Sequence, residues 1–272
     1  MRAALHINNA PHQRAHGLLI KEGLERCGVQ VEYAGFDEPR FCDFAVVWGF
    51  RQLRVIAAAP QTLVMEAGHV GDRAAQTSLG WDGLGGYGRY PWPRDGGERW
   101  RRNFPDQLRA WQWGGRYALV CGQVPGDAAV RDVSITGWSM ETCREVARVW
   151  GQPVRYRPHP LTGALGYPAA ELPEGVELSP GGELAEDLAG AIAAVTYSST
   201  SGVEAALAGI PVIAMDRGSM AWDVASHDLK GILVRPERAT WAHALAWTQW
   251  EDDEISSGFA WEYLEQGLNG LT

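Results

Sequence analysis

Short apolar runs, separated by polar or glycine-rich breaks, recur along the chain at intervals that suit a parallel sheet. Residues 3–7, 29–33, 44–48 and 62–65 read as strands. Between the first two, Leu18, Leu19 and Leu24 recur at helical spacing, and Cys27-Gly28 closes that helix. A second series starts at Arg116, with strands at 117–121, 154–157, 212–215 and 232–234 and helices at 138–150 and 184–191. Two more helices are expected at 241–250 and 255–264. Strands alternating with segments of this length predict α/β domains built on parallel sheets. Between the two series, residues 80–113 lose all periodicity and hold a Gly/Trp-rich stretch, expected to be a loop. The expected organisation is a first domain over 1–114, a second over 115–240, and C-terminal helices over 241–272 packing back toward the first.

The most informative segment lies in the second series. Residues 195–215 read as strand, hydroxyl-rich turn, helix, Gly-Pro break and strand. The turn Ser198-Ser199-Thr200-Ser201-Gly202 sits where a helix begins, so hydroxyls and free backbone N–H groups gather at the positive end of a helix dipole. One Ser or Thr there is ordinary capping; four consecutive hydroxyl residues exceed what capping requires. Glu204, just inside the helix, suits a ribose diol beside a bound phosphate.

Three further polar spots fall at carboxyl ends of predicted strands, where ligands bind open α/β sheets. Gln123 and Asp127 follow 117–121, Arg157 and His159 close 154–157 between prolines, and Asp216 follows 212–215. In the first half, Glu66, His69 and Asp72 follow the strand at 62–65 and are candidates for a catalytic base. Asp72 is the first choice, with capping of a helix around 73–76 its structural alternative.

Composition changes the picture only at the margins. The 272 residues are 46% hydrophobic and 21% charged, with no apolar run long enough to span a membrane and no leader pattern at the N-terminus, so a cytoplasmic protein is expected. Four scattered cysteines read as reduced structural thiols rather than a disulfide frame or zinc site. A net charge of −9 argues against broad nucleic-acid binding, yet Arg89, Arg94, Arg99, Arg101 and Arg102 cluster around Trp92 and Trp100. Arg89, Trp92 and Arg94 are therefore the candidate acceptor-side residues. Thirteen Trp supply potential platforms for sugars or bases.

Taken together, Gln123–Asp127, His159-Pro160, the Ser198–Gly202 turn, Glu204 and Gly209-Ile-Pro211 resemble the nucleotide-binding half of GT-B glycosyltransferases. The likeness is to the capsule-polysaccharide Kdo transferases and the His-Pro sialyltransferases. Segments outside that half, among them residues 6–12, 46–49, 65–72, 78–83 and 218–222, resemble glycosyltransferases carried by bacteriophages, some of which decorate hydroxymethylated pyrimidines in DNA. The resemblance implies two Rossmann-like domains facing across a cleft and an inverting, metal-independent transfer from a nucleotide sugar (a UDP- or CMP-sugar) with no other cofactor. It implies an acceptor hydroxyl on double-stranded DNA carrying hydroxymethylpyrimidine, with a surface glycan as the alternative. A sugar-nucleotide epimerase and a non-catalytic nucleotide-sugar-binding module are the competing functions. A Rossmann dehydrogenase is disfavoured, because Asn8-Asn9-Ala10 stands where Gly-x-Gly-x-x-Gly would follow the first strand.

Overall fold

A computed structural model describes residues 1–91 and 95–269, with side chains described through residue 266. The chain divides into two compact α/β units, Met1–Phe104 with His243–Thr272, and Pro105–Ala242. The chain returns to the first unit at His243.

In the first unit, β1 (Arg2–His6) leads into α1 (Pro11–Arg26), followed by β2 (Gln30–Tyr33), β3 (Phe44–Trp48), α2 (Leu53–Ala58), β4 (Thr62–Ala67), β5 (Thr77–Trp81) and α3 (Glu98–Asn103). Pro11 opens α1, where a missing N–H removes nothing from the helix ladder. The second unit contains β6 (Tyr117–Cys121), α4 (Ile135–Trp150), β7 (Val154–Arg157), α5 (Leu161–Ala164), β8 (Val176–Leu178), α6 (Leu184–Leu188), β9 (Ala191–Thr196), α7 (Ser201–Leu207) and β10 (Val212–Ala214). Then come α8 (Ala239–Leu245), within which the units divide, β11 (Gln249–Trp250), α9 (Asp252–Ser256) and α10 (Phe259–Asn269).

The second unit's sheet is wholly parallel, in the order β10-β9-β6-β7-β8. Its chain runs outward from β6 to β8, then crosses back to β9 and β10. The direction therefore reverses between β6 and β9, as in a Rossmann half. Val120, Val195 and Ile213 fill one side with Met140, Cys143 and Val146 of α4. The fold class is thus α/β with two Rossmann-like units, and the first carries an amendment. Its sheet runs β11-β5-β4-β3-β1-β2, parallel across β2, β1, β3 and β4 but antiparallel at β5 and β11. Leu5, Val46, Leu63 and Met65 share one face with Leu79 and Trp81, covered by Ile20 and Leu24 of α1 and Trp261 of α10.

Several expectations require correction. Residues 80–113 are not a structureless loop: β5 extends to Trp81, a 3-10 turn follows at Gly85–Tyr87, and α3 buries Trp100. Leu79 and Trp81 enter the core while Ser78 and Gly80 face the other way, an alternation too short to register amid so many glycines. Gly80 is required there, since a Cβ would stand 2.7 Å from the Tyr90 ring. No strand forms at 232–234. Ile232 is exposed, and the Ser226 hydroxyl, donating to the Ile232 carbonyl and accepting from the Val234 amide, holds the segment as a turn. The helix expected at 184–191 ends at Leu188, and β9 begins at Ala191. The helix expected at 241–250 ends at Leu245, because residues 249–250 pair with β5. The next helix is split by Gly258, at φ 91°. Residues 73–76 form a turn inside the β4–β5 hairpin, so Asp72 caps no helix. Cys27 is exposed, whereas Cys42, Cys121 and Cys143 are buried, and all four are free thiols.

Candidate functional site

Parallel pairing brings the carboxyl ends of β7, β6, β9 and β10 to one edge of the second unit's sheet, and the predicted polar residues gather there. At the reversal between β6 and β9, the Ser198 amide donates to Gln123 Oε1 at 2.8 Å, and Gln123 Nε2 donates to Ser198 Oγ at 3.3 Å. The two candidates, 75 residues apart, form one cyclic pair. The turn is further set by Ser199 N–H to Thr196 Oγ1, 3.1 Å, and Ser201 N–H to Ser199 Oγ, 3.2 Å. Thr200 precedes α7 without capping it by its side chain. The Ser201 hydroxyl is buried beside the Cys121 thiol, which burial pushes up to about 12 and so keeps protonated. Gly202 is packed against Thr196, and Glu204 lies exposed in the first turn of α7.

The neighbouring strand ends differ in character. His159 Nδ1 accepts the Leu161 amide at 3.2 Å, which fixes the proton of a neutral ring on Nε2 as a donor. Arg157 donates to Asp187 at 2.7 Å, to Ser179 and to the Gly182 carbonyl, so its charge is matched inside the unit. Asp187 also receives Arg155 at 3.1 Å and the Ser179 hydroxyl at 2.5 Å. Burial alone would raise the Asp187 carboxyl, but Ser179, Arg157 and Arg155 outweigh it and hold it below the ordinary carboxylate range. Asp216 accepts the Gly218 amide at 2.8 Å, and its own amide donates to the Tyr197 carbonyl at 3.1 Å, one residue before the turn. Asp127 is exposed, at the start of a 3-10 turn.

In the first unit, Glu66, His69 and Asp72 are near in sequence but unlike in environment. Glu66 Oε2 accepts the Gly85 amide at 3.0 Å. His69 is buried, with Nε2 3.0 Å from Ser78 Oγ; burial, helped by Arg73, pushes it down to about 3, so the ring stays neutral. Asp72 lies exposed on the hairpin loop, accepting the Ala74 amide at 3.1 Å. That loop is pinned by Gln249 of β11, whose Oε1 accepts the His69 and Val70 amides at 2.6 and 2.9 Å.

A second cluster escaped sequence reasoning. His12 and His16, one turn apart on α1, both pack on Trp48 at the end of β3, with ring centroids 5.2 and 4.9 Å away. His16 Nδ1 lies 2.7 Å from Thr77 Oγ1 of β5. Burial lowers the His16 ring below its ordinary value; Asp252 opposes and His12 adds to the shift. In the tautomer whose Nδ1–H donates to Thr77 Oγ1, the neutral ring keeps Nε2 as an acceptor, which is the arrangement a general base needs. The signal in the sequence was the His-x-x-x-His spacing after the first strand.

On the acceptor side, Arg89 pairs with Asp82, while Trp92 and Arg94 lie outside the described residues. Arg99, counted in the basic cluster, is instead core. It forms a bidentate pair with Glu254, donates to the Ala246 and Gln249 carbonyls, and lies against the Trp247 and Trp250 rings. Among the described residues, no group of three or more His, Cys, Asp or Glu is placed to hold a metal ion. No described helix is long and apolar enough to cross a membrane.

No protein-family model matches the chain, and the search of curated proteins gives no match. Solved structures do match. The β-Kdo 2,7 transferase of Thermosulfurimonas dismutans KpsC aligns with TM-score 0.59 at 14% identity, over 96% of this chain and 99% of that one. The chains share a fold. The β-Kdo 2,4 transferase of the same KpsC aligns with TM-score 0.57 at 16% identity, over 91% of each chain. These likenesses place two Rossmann-like units of the GT-B class along nearly the whole chain.

Proposed function

We propose that the protein is a nucleotide-sugar-dependent glycosyltransferase whose donor site is the carboxyl edge of the second unit. The Gln123–Ser198 pair at the strand-order reversal carries this reading, since it braces a hydroxyl-rich turn where α/β sheets of this order bind nucleotides. The donor phosphate, one group in a CMP-sugar and two in a UDP-sugar, lies on the turn 198–202, with His159 Nε2–H as a further donor and Glu204 toward the ribose. Gln123, Asp127 and Asp216 shape the edge around it. Arg157 acts indirectly, by holding β7 to the Asp187 network.

The reaction is an inverting displacement. A base takes the acceptor O–H proton, the acceptor oxygen bonds to the anomeric carbon, and the bond from that carbon to phosphate oxygen breaks, releasing the nucleotide. The amides of Ser198, Ser199, Ser201 and Gly202 are engaged within the unit rather than free, so the hydroxyls of Ser198, Ser199 and Thr200 are the donors that stabilise the departing charge, a task that requires no metal. The base belongs to the first unit. His69 is buried against Ser78 and Glu66 is bonded to the Gly85 amide, so His16 and Asp72 fit best, and His16 is preferred for its locked, neutral ring.

For the acceptor, the resemblance to phage enzymes favours a hydroxymethylated pyrimidine in DNA, with a glycan hydroxyl as the alternative. Of the basic stretch, Arg89 is paired and Arg99 is buried, while Arg101 and Arg102 are exposed. The test is mass spectrometry of hydroxymethylpyrimidine duplexes and of glycan acceptors, each incubated with a panel of UDP- and CMP-sugars. A glycosyl mass increment on one acceptor class is expected. Donor turnover without acceptor would replace transfer by epimerisation, and nucleotide-sugar binding without any turnover would leave a binding module.

A further inference from the structure

We propose that Trp138 and Tyr197 form the nucleobase platform of the second unit; the proposal rests on the donor site described above. Tyr197 directly follows β9 and precedes Ser198, so its ring is anchored one residue from the phosphate-binding turn. Trp138 stands in the first turn of α4, the crossover helix after β6. The rings meet edge to face, with centroids 5.3 Å apart and planes at 79°. Both side chains are half-buried.

Their polar tips are uncommitted. Among the described residues, neither Trp138 Nε1 nor Tyr197 Oη has a hydrogen-bond partner, and neither is sealed from solvent. Three other indoles of this unit are satisfied: Trp111, Trp150 and Trp241 donate to the carbonyls of Pro236, Leu229 and Met220. Burial, with Asp216 nearby, raises the Tyr197 hydroxyl, which therefore keeps its proton as a donor. An aromatic face with two N–H or O–H donors beside a phosphate turn matches a flat ring bearing carbonyl acceptors, which describes a pyrimidine base.

The test is isothermal titration of the full chain and its variants with UDP, CMP and inorganic pyrophosphate. Trp138→Ala is expected to weaken UDP or CMP binding about tenfold or more, in line with ~1–3 kcal/mol for stacking one base, while pyrophosphate affinity changes less than about twofold. Trp138→Phe, which keeps a ring, should recover most of the loss, and Tyr197→Phe should lose a few-fold through its missing hydroxyl. Equal loss of nucleotide and pyrophosphate, or unchanged nucleotide affinity in Trp138→Ala, overturns the platform. So does a loss seen with UDP-sugars but absent with UDP, which would make the rings a sugar subsite. If the unaltered chain binds neither nucleotides nor pyrophosphate, the donor site itself fails, a distinct result.

Discussion

The two units solve the same topological problem by opposite routes. In the second, the polar edge is built from turns that follow their strands directly, and one side-chain pair, Gln123 with Ser198, joins two of them. In the first, the polar clusters at His16 and His69 draw on remote segments: His16 meets Thr77 61 residues away, and Gln249 fixes the hairpin at His69 from 180 residues away. One unit carries its candidate site in local chemistry, the other in long-range packing. Substitutions should therefore separate them.

The largest effect is expected at Arg99. Its bidentate bond to Glu254 is buried among Trp247 and Trp250, and removing one partner of such a pair typically costs ~3–5 kcal/mol. Arg99→Ala should lower the urea midpoint of the first unit sharply while nucleotide binding by the second persists; joint loss of both would break the comparison.

The difference between the units also explains what was legible in the sequence. The turn 198–202, Gln123, His159 and Asp216 could be found because strand, turn and helix signals place them at a sheet edge without any knowledge of the partner strand. The strand order of the second sheet, and its short edge strand β8, are not legible in the same way. Likewise, β5 and β11 are held by antiparallel pairing with each other, and the two-residue β11 has no period of its own. Arg99 looked like surface charge because nothing within its own segment announces Glu254. Five buried tryptophans, at 81, 100, 247, 250 and 261, serve the core rather than a ligand, a distinction composition alone does not make.

Next in size is the proton acceptor. His16→Ala should reduce kcat about a hundredfold, as removal of a general base commonly does, with little change in donor affinity. Because the ring's pKa lies below its ordinary value, the acid limb of the unaltered enzyme should fall below pH ~6.5. Asp72→Asn should leave folding within ~0.5 kcal/mol, as befits an exposed loop residue. If it abolishes transfer while His16→Ala does not, the base moves to Asp72.

Asp187 sharpens the picture of the second unit. Its folded-state carboxyl is depressed, so its contribution is complete above the ordinary carboxylate value and is lost as pH falls through the lower folded one. Urea midpoints of the unaltered protein should drop as pH falls below the ordinary carboxylate value of about 4, and Asp187→Asn, itself costing ~2 kcal/mol near neutrality, should flatten that drop. The smallest effect is at Gln123. Gln123→Ala removes both bonds to Ser198 and should weaken UDP or CMP binding about tenfold, with thermal stability nearly unchanged. A large loss of stability there would mean that the turn is a structural keystone rather than a ligand cradle.

The return of the chain to its first unit at His243 sets an order of assembly during synthesis. When residue 242 leaves the ribosome, every strand of the second unit is present, whereas the first still lacks β11, the Gln249 clasp on its hairpin, and Trp250 and Trp261. The portion made first must therefore wait, with Trp81 and Leu79 uncovered, while the portion made second completes itself. Access of chaperones to Leu79 and Trp81 before residues 243–264 have joined the first unit should thus govern the yield of soluble protein.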